Sequence, residues 1–207
     1  MIDIEDEVTP RDGSVDATGT ASPLAWLMAI GGVIGLAASA MLTYDKIKLL
    51  ETPGASLACS INPWVDCGGV VSSWQASLFG FPNTFLGLAG FSVVTTLGVL
   101  LLSGTRLPEW FWAGLQVGAV LAVALITFLQ YTSIYDLVKL CPYCMVVWTV
   151  TIPLFVAVTA RNLRSWAPTS AVTRFVSNWT LLIVLLWYVA VVSAIWFQFG
   201  PERLFAS

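Results

Sequence analysis

The side chains able to do chemistry in this sequence are four cysteines in two pairs. Cys59 and Cys67 are separated by seven residues, and the second pair is Cys141-Pro142-Tyr143-Cys144. Histidine is absent, which excludes His-ligated haem, His-ligated zinc catalysis, Ser-His-Asp and Cys-His nucleophiles and a histidine proton relay. Twelve acidic and nine basic residues leave a net charge of −3, so a strongly basic nucleic-acid-binding surface is excluded too. Thiol–disulfide exchange and thiolate metal binding remain.

Cysteines at i and i+3 share one face of a helical first turn and lie close enough to bridge. Pro142 suits that turn, whose first N–H groups have no intrahelical partner. The partial positive charge of a helix start favours the attacking thiolate. Cys141 and Cys144 therefore suit reversible redox work, with half of a four-cysteine metal site or a static disulfide as alternatives. Cys59 and Cys67 lie among turn formers: Pro53-Gly54, Asn62-Pro63, Asp66 and Gly68-Gly69. A disulfide there is open to attack by an incoming protein, or is a permanent staple of an exposed loop. Zinc knuckles usually space their cysteines by two to four residues. The longer gap argues against a metal, and no metal ligands are assigned.

The elements that position these residues must be membrane helices. Of the 207 residues 57% are hydrophobic and 10% charged, against roughly 25% charged in a soluble domain. Five uncharged windows, 17–44, 68–105, 110–135, 140–160 and 175–201, can each hold the roughly 20 apolar residues of a span. They predict helices over 23–43, 83–103, 110–132, 141–160 and 178–198, an all-α integral membrane protein with five transmembrane helices. Residues 1–22 form an acidic, disordered cytoplasmic tail rather than a cleaved leader, having six carboxylates against Arg11. The membrane domain covers 23–200, including a loop over 44–82 with a short interfacial helix after Gly68, and 201–207 is a short tail.

Five spans place the loops that hold the two pairs on the same side of the membrane. With the N-terminus inside, five basic residues lie in the cytoplasm and four outside, a small positive-inside bias. Disulfides persist in extracytoplasmic compartments, so all four cysteines are placed there, in a multi-pass protein of the inner or plasma membrane. Gly31, Gly32, Gly35, Ala38 and Ser39 let the first helix approach a bundle neighbour closely. Pro153 should bend the fourth helix. Trp26, Trp64, Trp74, Trp110, Trp112, Trp166 and Trp179 read as interfacial anchors. Apart from cysteines and tyrosines no ionisable side chain falls inside an expected span, which disfavours an ion channel or a proton-coupled pump.

Four motifs in order resemble the vitamin K epoxide reductase family, in its bacterial disulfide-forming branch. They are the Cys59/Cys67 loop pair, Ser72-Ser73, Phe81-Pro82-Asn83 opening the second span, and Cys141-Pro142-Tyr143-Cys144 opening the fourth. The resemblance covers roughly residues 23–160. It implies a four-helix bundle around a quinone, menaquinone or ubiquinone, with the fifth helix beside it. It also implies a relay: a soluble DsbA-like thioredoxin-fold oxidase, acting in trans, attacks the loop disulfide at Cys59. Cys67 then attacks Cys141, and the released Cys144 reduces a quinone of the membrane pool. By the same resemblance Ser73 supports the exchanging cysteines; surface polar filler is its bland reading. Asn83 would donate to a quinone carbonyl, with a helix N-cap as the alternative. The resemblance would also place Trp148 near the quinone, where vertebrate members have a tyrosine; it brings no hydroxyl proton and leaves epoxide chemistry open. The chain ends without the fused thioredoxin-like domain of many bacterial members, so the partner is expected to be a separate protein. Two rival expectations are a non-enzymatic membrane protein with a four-cysteine metal site or static disulfides, and a carrier moving electrons across the membrane.

Overall fold

Hydrocarbon leaves no backbone polar group a partner outside its own segment, so apolar windows of this length fold as helices. A computed structural model describes residues 22–204. Its helices are α1 (Pro23–Glu51), α2 (Cys67–Ser72), α3 (Thr84–Leu102), α4 (Glu109–Tyr131), α5 (Pro142–Trp166), α6 (Ala171–Asn178) and α7 (Thr180–Leu204). Five of them, α1, α3, α4, α5 and α7, are long and apolar enough to cross a membrane, matching the five expected spans. Except for Ser22, the expected acidic tail lies outside the described residues, as do residues 205–207.

The helices differ from expectation mainly at their ends. α1 runs on to Glu51, through Asp45, Lys46 and Lys48. At about 1.5 Å per residue its 29 residues exceed a hydrocarbon core of about 30 Å. Its last turns therefore extend past the apolar layer towards the cysteine loop. The loop helix is α2, which begins at Cys67 and is followed by a 3-10 turn, Trp74–Ser77. α4 passes into a π-helical turn, Thr132–Asp136. α5 continues through Pro153 to Trp166. The short α6, unforeseen, is capped by Ser170 Oγ, which accepts from Val172 N.

α5 is the shared element: it packs on α1, α4 and α7, while α1 also packs on α3. The bundle is thus α1, α3, α4 and α5, with α7 alongside. Small residues set the α1–α3 spacing, as expected. A Cβ at Gly98 would run into the Ala29 backbone, and one at Gly32 into the Thr95 backbone. Met28, fully buried, anchors the core there with Phe91, Leu97, Val150 and Leu154. Trp26, Trp74, Trp110, Trp166 and Trp179 are exposed, as anchors should be. Trp112 differs: it is buried, with the Arg161 guanidinium 4.1 Å from its ring. Arg161 in turn makes a two-pronged pair with Glu109 at 2.8 and 3.0 Å. That contact joins the start of α4 to the end of α5, at the end of the bundle away from the cysteines.

Gly32→Val tests the close approach. Forcing two methyls into the Thr95 backbone should cost about 1–3 kcal/mol and lower the thermal unfolding temperature in detergent. An unchanged melting curve would contradict the packing described.

Candidate functional site

The cysteine loop is held to the start of α5 by backbone and charge together. Val65 and Leu140 form a parallel bridge: Asp66 N donates to Leu140 O at 2.9 Å, and Leu140 N to Trp64 O at 2.8 Å. Asp66 is also the N-cap of α2, accepting from Gly68 N and Gly69 N at 3.0 and 3.1 Å. It receives Ser60 Oγ at 2.7 Å and the Lys139 ammonium at 2.6 Å as well. Burial opposes ionisation of Asp66, but the hydrogen bonds from Lys139 and Ser60, the Lys139 charge and the Gly69 N–H outweigh it and hold its carboxyl below the usual range. A six-residue helix does not stand alone in water. α2 is fixed by this cap, by Lys46 Nζ donating to Val71 O at 2.8 Å, and by its disulfide.

The segment before α5 is shaped to meet the loop. Val138 adopts a left-handed conformation, φ 49°, uncommon for a β-branched residue. Ser133 Oγ donates to Lys139 O, and Lys139 N returns a bond to Ser133 O at 3.0 Å. The π turn and this reciprocal pair aim Lys139 at Asp66 and Leu140 at the loop backbone.

Cys59 and Cys67 form a disulfide, with Cα atoms 5.7 Å apart. Cys141 and Cys144 are free thiols. Cys141 is the N-cap of α5 with Pro142 in the first turn, and its thiol points at Cys67 Sγ, 3.3 Å away. A hydrogen bond with the Cys144 thiol, helped by the Tyr143 and Cys144 backbone N–H groups, holds the Cys141 thiol below its ordinary value against burial and the Asp45 charge. The two pairs expected on one side of the membrane are therefore in contact, through Cys67 and Cys141. Cys67 is completely enclosed, whereas Cys59 keeps 6% of its surface.

Cys144 packs against two apolar clusters. One contains the disulfide, Leu42, Leu57 and Val71; the other contains Ile126, Trp148, Ile152, Val156 and Val184. The second cluster borders a groove of about 290 Å³ between α4, α5 and α7, lined by Gln130, Met145, Trp148, Thr149, Tyr188 and aliphatic residues. Gln130 is buried and its Nε2 has no hydrogen-bond partner. A buried amide left unpaired is costly, so this groove has a donor lacking its acceptor.

The remaining expected site residues stand as follows. Trp148 lines the groove. Asn83 is buried just ahead of α3 but makes no side-chain cap bond. Its amide braces the preceding turn, donating to Gln75 O at 2.7 Å and accepting from Leu78 N at 3.2 Å. Ser73 Oγ donates to Val70 O at 2.7 Å at the end of α2, six residues after Cys67. The sequence reading missed Asp66 and Lys139 as a clamp, Asp45 and Gln130. Only Asp66 carried a signal, as a cap-forming residue directly before a Cys-Gly-Gly turn.

A sequence model of the vitamin K epoxide reductase family matches residues 26–159, all four cysteines included. No match is found among the curated proteins.

Replacing Asp66 by Asn keeps a cap and removes the charge. The lowered carboxyl stabilises the fold fully above about pH 5, and this contribution fades as pH falls through the ordinary value near 4 towards the lowered one. The wild-type advantage in thermal unfolding should therefore be about 1 kcal/mol at pH 7 and vanish in strong acid. An advantage undiminished at pH 2, or none at pH 7, would contradict the clamp.

Proposed function

The chain belongs to the vitamin K epoxide reductase family, and from that premise we propose that it is a membrane thiol:quinone oxidoreductase that makes disulfides. It re-oxidises a separate thioredoxin-fold protein of the DsbA type and passes the electrons to a quinone of the membrane pool. The observation that carries this reading is the 3.3 Å approach of Cys67 Sγ and Cys141 Sγ. Exchange between two disulfides needs such a contact, whereas a static staple does not.

A partner thiolate attacks the Sγ of Cys59, the less enclosed residue of the pair; the Cys59–Cys67 bond breaks and Cys67 leaves as thiolate. The partner's second thiol displaces Cys59, completing the partner disulfide. Cys67 then attacks Cys141 in a Cys141–Cys144 disulfide, and Cys144 leaves. Cys59 attacks Cys67, re-forming the loop disulfide and releasing Cys141. The outcome is an oxidised loop pair beside a reduced Cys141/Cys144 pair, the distribution described above.

A bound quinone supplies a sink for two electrons and two protons. The groove bordered by the cluster on which Cys144 packs fits one: its walls are mostly apolar, Trp148 offers an aromatic face, and the unpaired Gln130 amide is a donor for a carbonyl oxygen. Asn83, ahead of α3, does not line this groove, although it retains one amide hydrogen beyond its bond to Gln75 O, and Ser73 steadies the α2 turn that carries Cys67. Extracytoplasmic placement of the cysteines, with the N-terminus in the cytoplasm of a cell that makes its disulfides outside, completes the reading.

The test couples a reduced thioredoxin-fold oxidase to a short-chain ubiquinone through purified protein. Cys144→Ala should still exchange with the oxidase but reduce quinone at least about 1,000-fold more slowly, whereas Cys59→Ala should lose exchange with the oxidase itself. Full turnover by Cys59→Ala, or stoichiometric zinc with no exchangeable disulfide, would sink the proposal.

A further inference from the structure

Asp45 is a carboxyl group that the relay leaves without a task. It lies in the last turns of α1 with 6% of its surface exposed, and burying a charge is costly unless something compensates. Its Oδ2 is 3.3 Å from Cys59 Sγ. Asp45, Cys59 and Cys67 place one carboxylate oxygen and two sulfurs within 4.8 Å of one another. In the disulfide form Cys59 carries no proton, so its sulfur gives this carboxyl no hydrogen bond.

The charged and titratable groups around Asp45 come from four elements. Lys48, one turn along α1, is the cation whose field reaches it, although its ammonium donates to Ser56 O at 3.2 Å. Cys59 faces it from the loop and Cys67 from α2, and its own charge is felt by Cys141 ahead of α5.

The relay requires a proton at Cys59 twice, in opposite directions. When the partner disulfide forms, Cys59 leaves as a thiolate and is stabilised by taking up a proton. When the Cys67–Cys141 mixed disulfide must be resolved, Cys59 has to be a thiolate again, because the thiol is a poor nucleophile. A group that touches Cys59 and can both hold and accept a proton serves both steps.

We propose that Asp45 is the catalytic acid and base of Cys59. As the partner leaves, the protonated carboxyl gives its proton to Cys59 Sγ. As Cys59 attacks Cys67 Sγ, the carboxylate takes that proton back. The Cys59–Cys67 bond forms, the Cys67–Cys141 bond breaks with its electron pair going to Cys141, and Asp45 ends with the proton it began with. No further oxidant or reductant enters. The inference rests on the relay proposed above.

The experiment uses the full chain in detergent with dithiothreitol as dithiol and a short-chain ubiquinone as acceptor, with acid-quenched samples alkylated and mapped for disulfides. Asp45→Asn should slow turnover about 100-fold at pH 7. It should accumulate the Cys67–Cys141 mixed disulfide, and recover as pH rises and hydroxide takes over the deprotonation. Formate should restore part of the rate to Asp45→Ala by entering the space left. Asp45→Glu, which keeps the carboxyl, should stay within about ten-fold of wild type. A wild-type rate in Asp45→Asn overturns the proposal. So does a loss equal at every pH and untouched by formate, the signature of a bracing role. Should the Asn and Ala variants not fold, the Glu variant decides alone, and a hundred-fold loss in it counts against the proposal. If the wild-type chain itself fails to reduce quinone, it is the relay that fails, a result separate from all of these.

Discussion

Cys67 and Cys141 are 74 residues apart in sequence, and their sulfurs are 3.3 Å apart in the fold. Thiol–disulfide exchange goes through a mixed disulfide, and its rate depends on how often one sulfur meets the other. Holding two reacting groups together turns that encounter into an intramolecular event with a very high effective concentration. Much of the architecture outside the membrane serves this one contact. The Val65–Leu140 bridge ties the two segments by their backbones. The Asp66–Lys139 pair is part-exposed, with 21% and 35% of the side chains accessible, and such a pair alone is worth about 1 kcal/mol or less. Its larger effect comes from Asp66 being at once the cap of α2, the partner of Ser60 and the neighbour of the bridge.

The burial pattern gives the site a direction. Cys59 keeps 6% of its surface, while Cys67 behind it has none. Cys144 touches both the disulfide cluster and the cluster that walls the groove between α4, α5 and α7. The four sulfurs thus run from the loop cluster to the edge of the groove cluster. The long α5 links them: its first turn carries Cys141 and Cys144, and its next turns carry Met145, Trp148 and Ile152 into the groove. α7, expected as a bystander, supplies the other wall through Tyr188 and Val191. The Gln130 amide Nε2 lies in this groove without a hydrogen-bond partner.

The membrane helices were legible because hydrocarbon imposes one rule on every span, and a local count of apolar residues captures it. Counting spans also placed both cysteine pairs on one side, and their contact agrees. Small residues in α1 were readable for the same reason: only close helix contact uses a face of Gly31, Gly32 and Gly35. What escaped depends on partners distant in sequence. Asp45, Lys46 and Lys48 read as loop residues because charge ends an apolar window, yet the helix continues through them, stabilised by its contacts beyond the hydrocarbon. Trp112 read as an anchor because nothing local announces Arg161, nearly fifty residues later, stacked on its ring. The Asp66–Lys139 clamp and the left-handed Val138 are likewise invisible to periodicity. Asn83 matched a family motif, and in the fold its amide braces the turn ahead of α3 through Gln75 and Leu78.

The contact between the two pairs is the claim on which the account stands, and it can be trapped. In a chain carrying both Cys59→Ala and Cys144→Ala, only Cys67 and Cys141 remain. Mild oxidation of the purified protein, followed by alkylation and peptide mass mapping, should give an intramolecular Cys67–Cys141 disulfide in nearly every molecule. Two alkylated thiols, or bridges only between separate molecules, would contradict the account.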